Sequence, residues 1–254
     1  MKVKRQRFSC QREGLTIAGT IYRREGHKGI PLILSHGFLS NQRHMRAYAA
    51  PLAQEGYVVF TYDFCGGALH GKSDGSFEDM SIDTEREDLK AVMAYVAACE
   101  DVDAGRLILM GESQGGFVSC LVAAEQPERI SKMLLLYPAL CIPDDARRGQ
   151  MRMLRFDPAH IEETLVSRPI RFSAKYPKSA MDIDIYAAIK KISCPMLLLH
   201  GSEDEIVDVA YAKRAEEANA AVKLVVLQGA GHGFGREEQQ QAIGQMVQFL
   251  RETK

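Results

Sequence analysis

The pattern of hydrophobic and polar positions changes along this chain from alternation to short apolar runs. "KVKRQRFSC" and "LTIAGTIYRR" alternate, and Arg12-Glu13-Gly14 supplies a turn between them, so they predict an antiparallel pair of strands. The later runs are apolar throughout, which is typical of strands buried on both faces of a sheet. In chain order these runs are "IPLILSHGF", "GYVVFTYD", "RLILMGES", "KMLLLYP", "CPMLLLHG" and "KLVVLQGAGH".

Amphipathic stretches separate these apolar runs, with apolar residues at the three- and four-residue spacing of helices. They are "NQRHMRAYAAPLAQEG", "SIDTEREDLKAVMAYVAACE", "QGGFVSCLVAAEQPERI", "DVAYAKRAEEANA" and "REEQQQAIGQMVQFLRE". Strands and helices therefore alternate, a pattern that favours a mostly parallel central sheet flanked by helices. We predict a single α/β domain over residues 1–254.

One connection is much longer than the others. Roughly fifty residues, 139–191, separate the runs "KMLLLYP" and "CPMLLLHG", whereas α/β loops usually have about two to six residues. The segment contains helical pieces, several prolines, and both charged and apolar residues. We interpret it as a small cap, or lid, inserted into the domain and folded over the edge of the sheet.

The composition excludes several classes of protein. Of the 254 residues 46% are apolar and 26% charged, and the formal net charge is −1, so we expect no binding to nucleic acid or to an anionic membrane. No apolar run approaches the roughly eighteen residues that cross a bilayer, and the basic start lacks the hydrophobic core of a signal peptide. Six scattered cysteines without metal-ligand spacing predict a reduced, cytoplasmic setting and no metal site.

A literal phosphate-loop pattern, GxxxxGK[ST], occurs in "GGALHGKS", with Lys72 as its lysine. Such a loop binds phosphate because a helix begins at its GK[ST], where backbone N–H groups converge. Here the turn "DGS" follows instead, Asp74 brings a carboxylate to the phosphate position, and no helical pattern begins before about Ser81. We interpret the stretch as a surface loop and not as a nucleotide site.

A second glycine-rich turn, "GESQGG" at Gly111, lies between a buried strand and an amphipathic helix. The GxSxG pattern in this context is typical of a nucleophile elbow, which lifts the hydroxyl of Ser113 clear of the sheet. The glycines two residues to either side are needed because a Cβ there would collide with the neighbouring strand or helix. Ser113 is therefore the candidate nucleophile.

A nucleophilic serine needs a histidine to take its proton, and that histidine needs a carboxylate to fix its tautomer. In a parallel sheet both groups are expected on loops after later strands. Asp204 follows "PMLLLH" and His232 follows "KLVVLQ", in the chain order that this arrangement requires. We predict a triad of Ser113, Asp204 and His232. Three acidic neighbours compete less well with Asp204, which lies directly beyond its strand: Glu203, Glu205 and Asp208.

Two backbone N–H groups are expected to form an oxyanion hole beside the serine. One belongs to Gln114, at the start of the helix that follows the elbow. The other belongs to Phe38, after the tight turn "HGF" that ends an early strand. We expect His36 to hold this turn by hydrogen bonds and not to act in catalysis. The same structural role is expected of two further histidines, His70 and His200.

With these motifs the chain resembles the α/β-hydrolases over nearly its whole length. The residues that carry the resemblance are "HGF", "YDFCGGALHGKSDG", "GESQGG", "HGSEDEIV" and "GAGHGF". Within that superfamily it is similar to bacterial feruloyl (cinnamoyl) esterases, which combine "YDF…HGKSDG…FEDM", a "SQGG" elbow and an insertion of this size. The resemblance implies a serine esterase without a metal or organic cofactor. It also implies that insertion side chains bind the phenol hydroxyl of the substrate, and it offers Asp145 and Tyr176 for that role.

Some features leave alternatives open. Glu112 occupies an elbow position where the family commonly has histidine, and the insertion segment "RRGQMRMLRF" is unusually basic. The arginines are consistent with a carboxylate-bearing ester or with a solvated cap surface. Tyr176 can equally pack its ring under the cap, and Asp145 can equally pair with Arg147 or Arg148.

We therefore expect a serine carboxylic ester hydrolase that forms an acyl-enzyme and acts on aryl or hydroxycinnamoyl (feruloyl) esters. The alternatives on the same fold are an acylaminoacyl-type serine peptidase, a thioesterase and an acyltransferase. Alternatives from other classes are a nucleotide-binding protein that uses Lys72 and a non-catalytic sensor. The expected partner is a small-molecule ester. The sequence identifies neither the natural ester nor the oligomeric state, and a homodimer stays open.

Overall fold

A central sheet of eight strands organises the computed structural model, which describes residues 2–26 and 28–252. In chain order the strands are β1 Val3–Arg12, β2 Leu15–Arg24, β3 Pro31–Ser35, β4 Val58–Tyr62, β5 Ile108–Glu112, β6 Lys132–Leu136, β7 Gln150–Met151, β8 Leu154–Arg155, β9 Thr164–Ser167, β10 Ile170–Ser173, β11 Met196–Gly201 and β12 Val222–Leu227. The strand order in the central sheet is β1-β2-β4-β3-β5-β6-β11-β12.

The direction of the strands follows the change in the hydrophobic pattern. β1 pairs with β2 and β2 with β4 antiparallel, whereas all other neighbours in the central sheet run parallel. The predicted turn joins β1 to β2, with Arg12 opposite Leu15 and with positive φ at Glu13 and Gly14. The mostly parallel sheet expected from the sequence is confirmed.

Helices cover both faces of this sheet, which explains why the strands are apolar throughout. The helices are α1 Arg46–Gln54, α2 Ile82–Ala97, α3 Ser113–Glu125, α4 Ile142–Arg147, α5 Lys175–Met181, α6 Ile185–Lys190, α7 Val209–Ala218 and α8 Arg236–Glu252. Successive strand residues pack to opposite sides: Leu32 and Leu34 contact the core beneath α1 and α8, and Ile33 contacts the core beneath α2 and α3. Across residues 2–26 and 28–252 no helix is long and apolar enough to cross a bilayer.

The long insertion leaves the sheet after β6 and returns at β11, its neighbour in the sheet. It contains α4, α5 and α6 together with two small hairpins, β7–β8 and β9–β10, that are separate from the central sheet. The sequence did not predict these hairpins, since strands of two to four residues carry too few positions to display a period. The division of the chain into one domain with an inserted cap over 139–191 stays a prediction.

The loop with the literal phosphate pattern uses its polar groups within the fold. Ser73 Oγ accepts a hydrogen bond from the Ala18 N–H at 2.9 Å, and Asp74 Oδ2 accepts one from the Thr16 N–H at 2.7 Å. No helix begins at the GKS: α2 begins only at Ile82, after Ser81 caps it by accepting from the Thr84 N–H at 3.1 Å. These contacts fasten the loop to β2 and agree with its interpretation as structural.

Asp63 connects this loop to the rest of the fold, and its replacement gives a test of that connection. Its buried carboxylate accepts hydrogen bonds of 2.8 Å from the Gln42 N–H, the Gln42 amide side chain and the Lys72 N–H. We expect Asp63→Ala to lower the free energy of unfolding by about 2–4 kcal/mol, because these donors lose a charged acceptor. The control is Asp182→Ala at an exposed position, and urea denaturation measures both. A loss no larger than the control's would contradict this anchoring role.

Candidate active site

The turn between β5 and α3 forces Ser113 into an uncommon backbone conformation. Its φ is +49°, in the left-handed region that residues other than glycine rarely adopt. The two flanking glycines permit the close packing around it. A Cβ on Gly115 would lie 2.4 Å from the Ser35 carbonyl oxygen of β3, and a Cβ on Gly111 would lie 2.4 Å from the Gly115 carbonyl oxygen. The GxSxG spacing thus reflects contact between α3 and the sheet.

Three loops at the carboxyl ends of β5, β11 and β12 bring the predicted triad residues together. Ser113 Oγ lies 3.0 Å from His232 Nε2, and His232 Nδ1 lies 2.8 Å from Asp204 Oδ2. The other carboxylate oxygen, Oδ1, accepts hydrogen bonds of 2.9 Å from the N–H groups of Ile206 and Val207. The side chains therefore form one continuous line of hydrogen bonds from hydroxyl to carboxylate. Three acidic neighbours of Asp204 are exposed: Glu203, Glu205 and Asp208.

The surroundings of Asp204 determine which nitrogen of His232 carries the proton. Burial opposes ionisation, but hydrogen bonds from His200, from His232 and from the Val207 N–H outweigh it and hold the pKa of Asp204 well below its usual range. An ionised carboxylate can only accept, so His232 Nδ1 is the protonated nitrogen. Nε2 is then free to accept the hydroxyl hydrogen of Ser113.

A second histidine, His200, supports the same carboxylate from the interior. Its Nε2 lies 2.8 Å from the Val207 carbonyl oxygen and 3.3 Å from Asp204 Oδ2. Because both oxygens are acceptors, this nitrogen is the donor. His200 is fully buried and ties the loop after β11 to the end of its own strand, the structural role expected of it.

The turn that contains Phe38 lies directly against the serine. A Cβ on Gly37 would be 3.1 Å from the Ser113 Cβ. His36 holds this turn: it accepts a hydrogen bond from the Phe64 N–H at Nε2 (3.1 Å) and donates from Nδ1 to the Gly37 carbonyl oxygen (2.8 Å). Burial lowers the pKa of His36 and so favours the neutral ring that this pattern requires. Phe38 and Gln114 line the same cavity as Ser113.

The side chain of Gln114 links α2, α3 and α5. It donates to Glu85 Oε2 at 2.8 Å and accepts from the Tyr176 hydroxyl at 2.6 Å. The Tyr176 ring is buried and stacks on Phe38, with centroids 5.6 Å apart and planes 6° from parallel. Tyr176 thus packs under the cap, and its hydroxyl is used by Gln114 while the ring lines the cavity.

The acidic and basic residues of the insertion pair with one another. Asp145 lines the cavity and forms an ion pair with Arg148, whereas Arg147 pairs with Asp144 at 2.6 Å. Arg152 also lines the cavity but forms no ion pair within the described residues. Of the two partners left open for Asp145 by the sequence, the structure places Arg148 beside it.

The cavity above Ser113 has a volume of about 330 Å³, and we divide its lining residues into two groups, named the cap arm and the tyrosine arm, by the core on which they pack. The cap arm is formed by Phe38, Ile142, Met151 and Tyr176, which belong to or pack on the core beneath α2 and α3. The tyrosine arm is formed by Tyr48, Glu112, Tyr137, Phe234 and Gln239. Tyr48, Tyr137 and Phe234 belong to the core on the other face, beneath α1 and α8.

Two acidic residues near the site were not anticipated from the sequence. Glu112 was noted only as a departure from the elbow pattern, and Glu85 was not singled out at all. Glu85 had a visible signal: on a helix it shares one face with Ile82 and Leu89, at three- and four-residue spacing, so a charged residue falls within an apolar stripe.

Comparison with known proteins assigns the chain to a family. The sequence matches a hydrolase family that is described as "Serine aminopeptidase, S33". The match covers residues 27–182, more than half of the chain. The chain belongs to this family. It is also similar in structure to Est1E from Butyrivibrio proteoclasticus with ferulic acid bound: the TM-score is 0.90 at 26% sequence identity, covering 97% of this chain and 98% of that one.

Curated relatives agree at the level of the superfamily. The monoglyceride lipase of Mus musculus is 27% identical, covering 81% of this chain and 76% of the lipase. The dihydrolipoyllysine-residue acetyltransferase component of the acetoin cleaving system of Pseudomonas putida is 25% identical over 89% of this chain, which spans only 65% of that protein. The α/β-hydrolase fold and the superfamily expected from the sequence are confirmed, and the protein is a hydrolase of this family.

Glu85 makes stability dependent on pH in a direction that can be tested. Burial raises its pKa from 4.5 to about 8, although the hydrogen bond from Gln114 opposes the rise. Because the pKa of Glu85 is raised in the folded state, its protonated carboxyl contributes to the free energy of unfolding. This contribution is fully present below about pH 4.5 and is lost as the pH rises through 8. Glu85→Gln removes this titration. We compare the Tm of the variant minus the Tm of the wild-type protein at the two pH values. We expect this difference to be at least about 2 °C larger at pH 9 than at pH 5.

The matched control for Glu85 is Glu87→Gln, an exposed change of the same kind on the same helix. Calorimetric scans at both pH values compare the two variants with the wild-type protein. A Tm difference for Glu85→Gln that stays constant between pH 5 and pH 9 would show that this carboxyl does not titrate between folded and unfolded states as stated.

Proposed function

We propose that this hydrolase is a serine carboxylic ester hydrolase that acts on aryl or hydroxycinnamoyl esters. One observation carries the proposal: the hydrogen-bonded line from Ser113 through His232 to Asp204 opens into a cavity with an aromatic arm. The similarity to Est1E with ferulic acid bound, over nearly the whole of both chains, supports the aryl substrate.

In the proposed reaction His232 Nε2 removes the hydroxyl proton of Ser113 while Oγ attacks the ester carbonyl carbon. Ionised Asp204 accepts from His232 Nδ1 and stabilises the imidazolium that forms. His232 then delivers the proton to the departing alcohol, leaving an acyl group on Ser113. Water enters by the same route and releases the acid. No step in this sequence requires a cofactor.

The negative charge of the tetrahedral intermediate is proposed to be stabilised by the N–H groups of Phe38 and Gln114. Gln114 follows the first residue of α3, where backbone N–H groups have no partner inside the helix. The position of the Gly37 turn against Ser113 supports the Phe38 contribution. Because the Gln114 side chain is fixed by Glu85 and Tyr176, the backbone that carries this N–H is held in place.

The cap arm is proposed to hold the aryl part of the acyl group. Phe38 and Tyr176 present stacked rings, and Ile142 and Met151 complete an apolar lining. Asp145 is the proposed partner of the phenol hydroxyl. Tyr176 contributes mainly its ring, because its hydroxyl already donates to Gln114.

The family description "Serine aminopeptidase" keeps an amide substrate as the second candidate. An amine is a poorer leaving group than an alcohol, and it must receive its proton from His232 before it can depart. Parallel assays of ferulate esters and of aminoacyl para-nitroanilides distinguish the two. Amide turnover equal to ester turnover would favour the peptidase.

The first prediction is that the protein releases ferulate from methyl ferulate in a reaction that requires Ser113. Ser113→Ala should lower kcat by about four orders of magnitude while leaving the Tm nearly unchanged, since the side chain lies at the cavity surface. Para-nitrophenyl acetate serves as a small ester control. Turnover of the acetate alone would retain the serine hydrolase and remove the hydroxycinnamoyl substrate.

The assignment of the acid gives a second prediction. Asp204→Asn should lower kcat by about 10³–10⁴-fold, because the asparagine no longer holds the proton on His232 Nδ1. Glu203→Gln, one residue earlier and exposed, is the matched control and should retain activity within about twofold. If Glu203→Gln were the damaging change, the acid of the triad would have been misassigned.

A further inference from the structure

The tyrosine arm contains a carboxylate that the proposed reaction does not use. Glu112 immediately precedes Ser113 and lines the cavity, and its side chain is partly exposed there. Within residues 2–26 and 28–252 it forms no ion pair with any lysine, arginine or histidine. His44, which also lines the cavity, contacts the Ser40 hydroxyl at 2.7 Å and reaches the carboxylate only through that hydroxyl. Glu112 therefore brings an uncompensated negative charge to the cavity.

Hydrogen bonds fix the position of Glu112 without exhausting its oxygens. Oε1 accepts from the Gly37 N–H and the Ser40 hydroxyl, both at 3.3 Å, and Oε2 accepts from the Tyr137 hydroxyl at 3.1 Å. These are long for bonds to a carboxylate, which are usually about 2.7–2.9 Å, and of its roughly four acceptor directions one, on Oε2, is left unused by the described residues. The carboxylate can thus receive a further positively charged partner.

Three aromatic side chains, Tyr48, Tyr137 and Phe234, line the same cavity as this carboxylate, and the Tyr137 hydroxyl contacts it directly. Tyr137 stacks edge-on with Phe234 at a centroid distance of 4.8 Å, and its hydroxyl adjoins that of Tyr48, which in turn adjoins Gln239. Burial and the charge of Glu112 raise the pKa of Tyr137 well above its usual range, so the phenol stays protonated. Aromatic faces beside a carboxylate are the surroundings in which proteins bind ammonium groups.

The backbone at Tyr137 supports a functional use of this arm. Its φ is +35°, a strained conformation for a bulky residue, and its N–H is held by the Leu199 carbonyl oxygen at 2.7 Å. Such strain persists where the surrounding structure needs a side chain in one particular position. Here it brings the Tyr137 ring to 4.7 Å from the ring of His232.

We propose that the tyrosine arm binds a positively charged ammonium group on the alcohol part of the ester, held by the carboxylate of Glu112 and the rings of Tyr48, Tyr137 and Phe234. This inference rests on the proposed esterase function and specifies its substrate class as esters of amino alcohols. The proposed substrate thus carries an ammonium group on its alcohol part in addition to the aryl acyl group that the cap arm is proposed to hold.

The position of His232 assigns the ammonium group to the alcohol and not to the acyl part. His232 gives its proton to the departing alcohol oxygen, so the alcohol lies beside this ring. The Tyr137 ring adjoins the His232 ring, and the Phe234 ring packs edge-on against Tyr137. In the cap region the unpaired Arg152 lines the cavity and would repel a cation. The two parts of the ester are thereby assigned to different groups of lining residues.

The test compares two ferulate esters of equal shape and different charge. The choline ester carries a quaternary ammonium, and the 3,3-dimethylbutyl ester is its neutral isostere. We expect kcat/KM of the wild-type protein to be about tenfold higher for the choline ester, and the advantage to shrink as salt is raised. Glu112→Gln should reduce this ratio to about one. Glu112→Gln can also disturb the Gly37 turn, because the Gly37 N–H donates to this side chain. Such a disturbance slows both esters alike and therefore leaves the ratio of their kcat/KM values unchanged.

The matched control is Glu205→Gln, which removes the same charge from an exposed position outside the cavity. It should leave the ratio of the two kcat/KM values at the wild-type value. An equal decrease of this ratio in both variants would mean that any negative charge on the protein attracts the choline ester, and it would overturn the proposal. A wild-type ratio near one, or a ratio unchanged by Glu112→Gln, would overturn it as well.

A binding measurement separates this inference from the esterase proposal. Ser113→Ala protein is titrated calorimetrically with each ester, alone and combined with Glu112→Gln. A preference for the choline ester that depends on Glu112 supports the ammonium site even if no ester is hydrolysed, in which case only the proposed function fails. Serine-dependent hydrolysis without such a preference retains the esterase and rejects the ammonium site.

Discussion

The carboxylate of Asp204 is the group on which the arrangement of the site depends. It is buried at the end of β11, yet it stays ionised because two backbone N–H groups and two imidazoles surround it. That charge decides which nitrogen of His232 is protonated, and hence whether the ring can accept from Ser113. Without that charge, nothing would require the proton of His232 to lie on Nδ1, and the hydrogen bonds would lose their direction. Geometry alone therefore does not define this site.

Close packing between α3, β3 and β5 determines the position of Ser113. Ser113 has its strained backbone because α3 begins within one residue of the end of β5, and glycine is the only residue that fits where the helix meets β3. The Gly37 turn reaches the serine from β3, and His36 fixes this turn to the chain that follows β4. The hydroxyl of Ser113 and the two proposed oxyanion donors are thus positioned mainly by the central sheet, whereas the lining of the cap arm comes largely from the insertion.

The sequence predicted those features that depend on local pattern. Apolar runs located the strands of the central sheet, alternation located the β1–β2 pair, and the residues after Ser81 predicted where α2 begins. The elbow spacing and the chain order of Ser113, Asp204 and His232 selected residues that the fold brings within hydrogen-bond distance.

Other features depend on contacts between distant segments, which no local pattern contains. The link from Glu85 to Gln114 and Tyr176 joins three helices that are far apart in the chain. The tyrosine arm is built from α1, the elbow, the residue after β6 and the start of α8. Pairing choices inside the insertion, such as Asp145 with Arg148, depend on side-chain directions that the sequence leaves open.

The insertion has a consequence for how a protein of this kind can diversify. It leaves and re-enters the sheet between two adjacent strands, and the predicted triad residues all lie outside it. Tyr176 in this segment holds Gln114 beside Ser113, but substitutions and changes of length elsewhere in the segment can alter the lining of the cap arm without replacing Ser113, His232 or Asp204. The tyrosine arm has less freedom, because three of its residues, Tyr48, Tyr137 and Phe234, also pack the core beneath α1 and α8. Under the proposed assignment of the two arms, acyl preference is therefore open to rapid evolutionary change, while preference for the alcohol is tied to the stability of the fold.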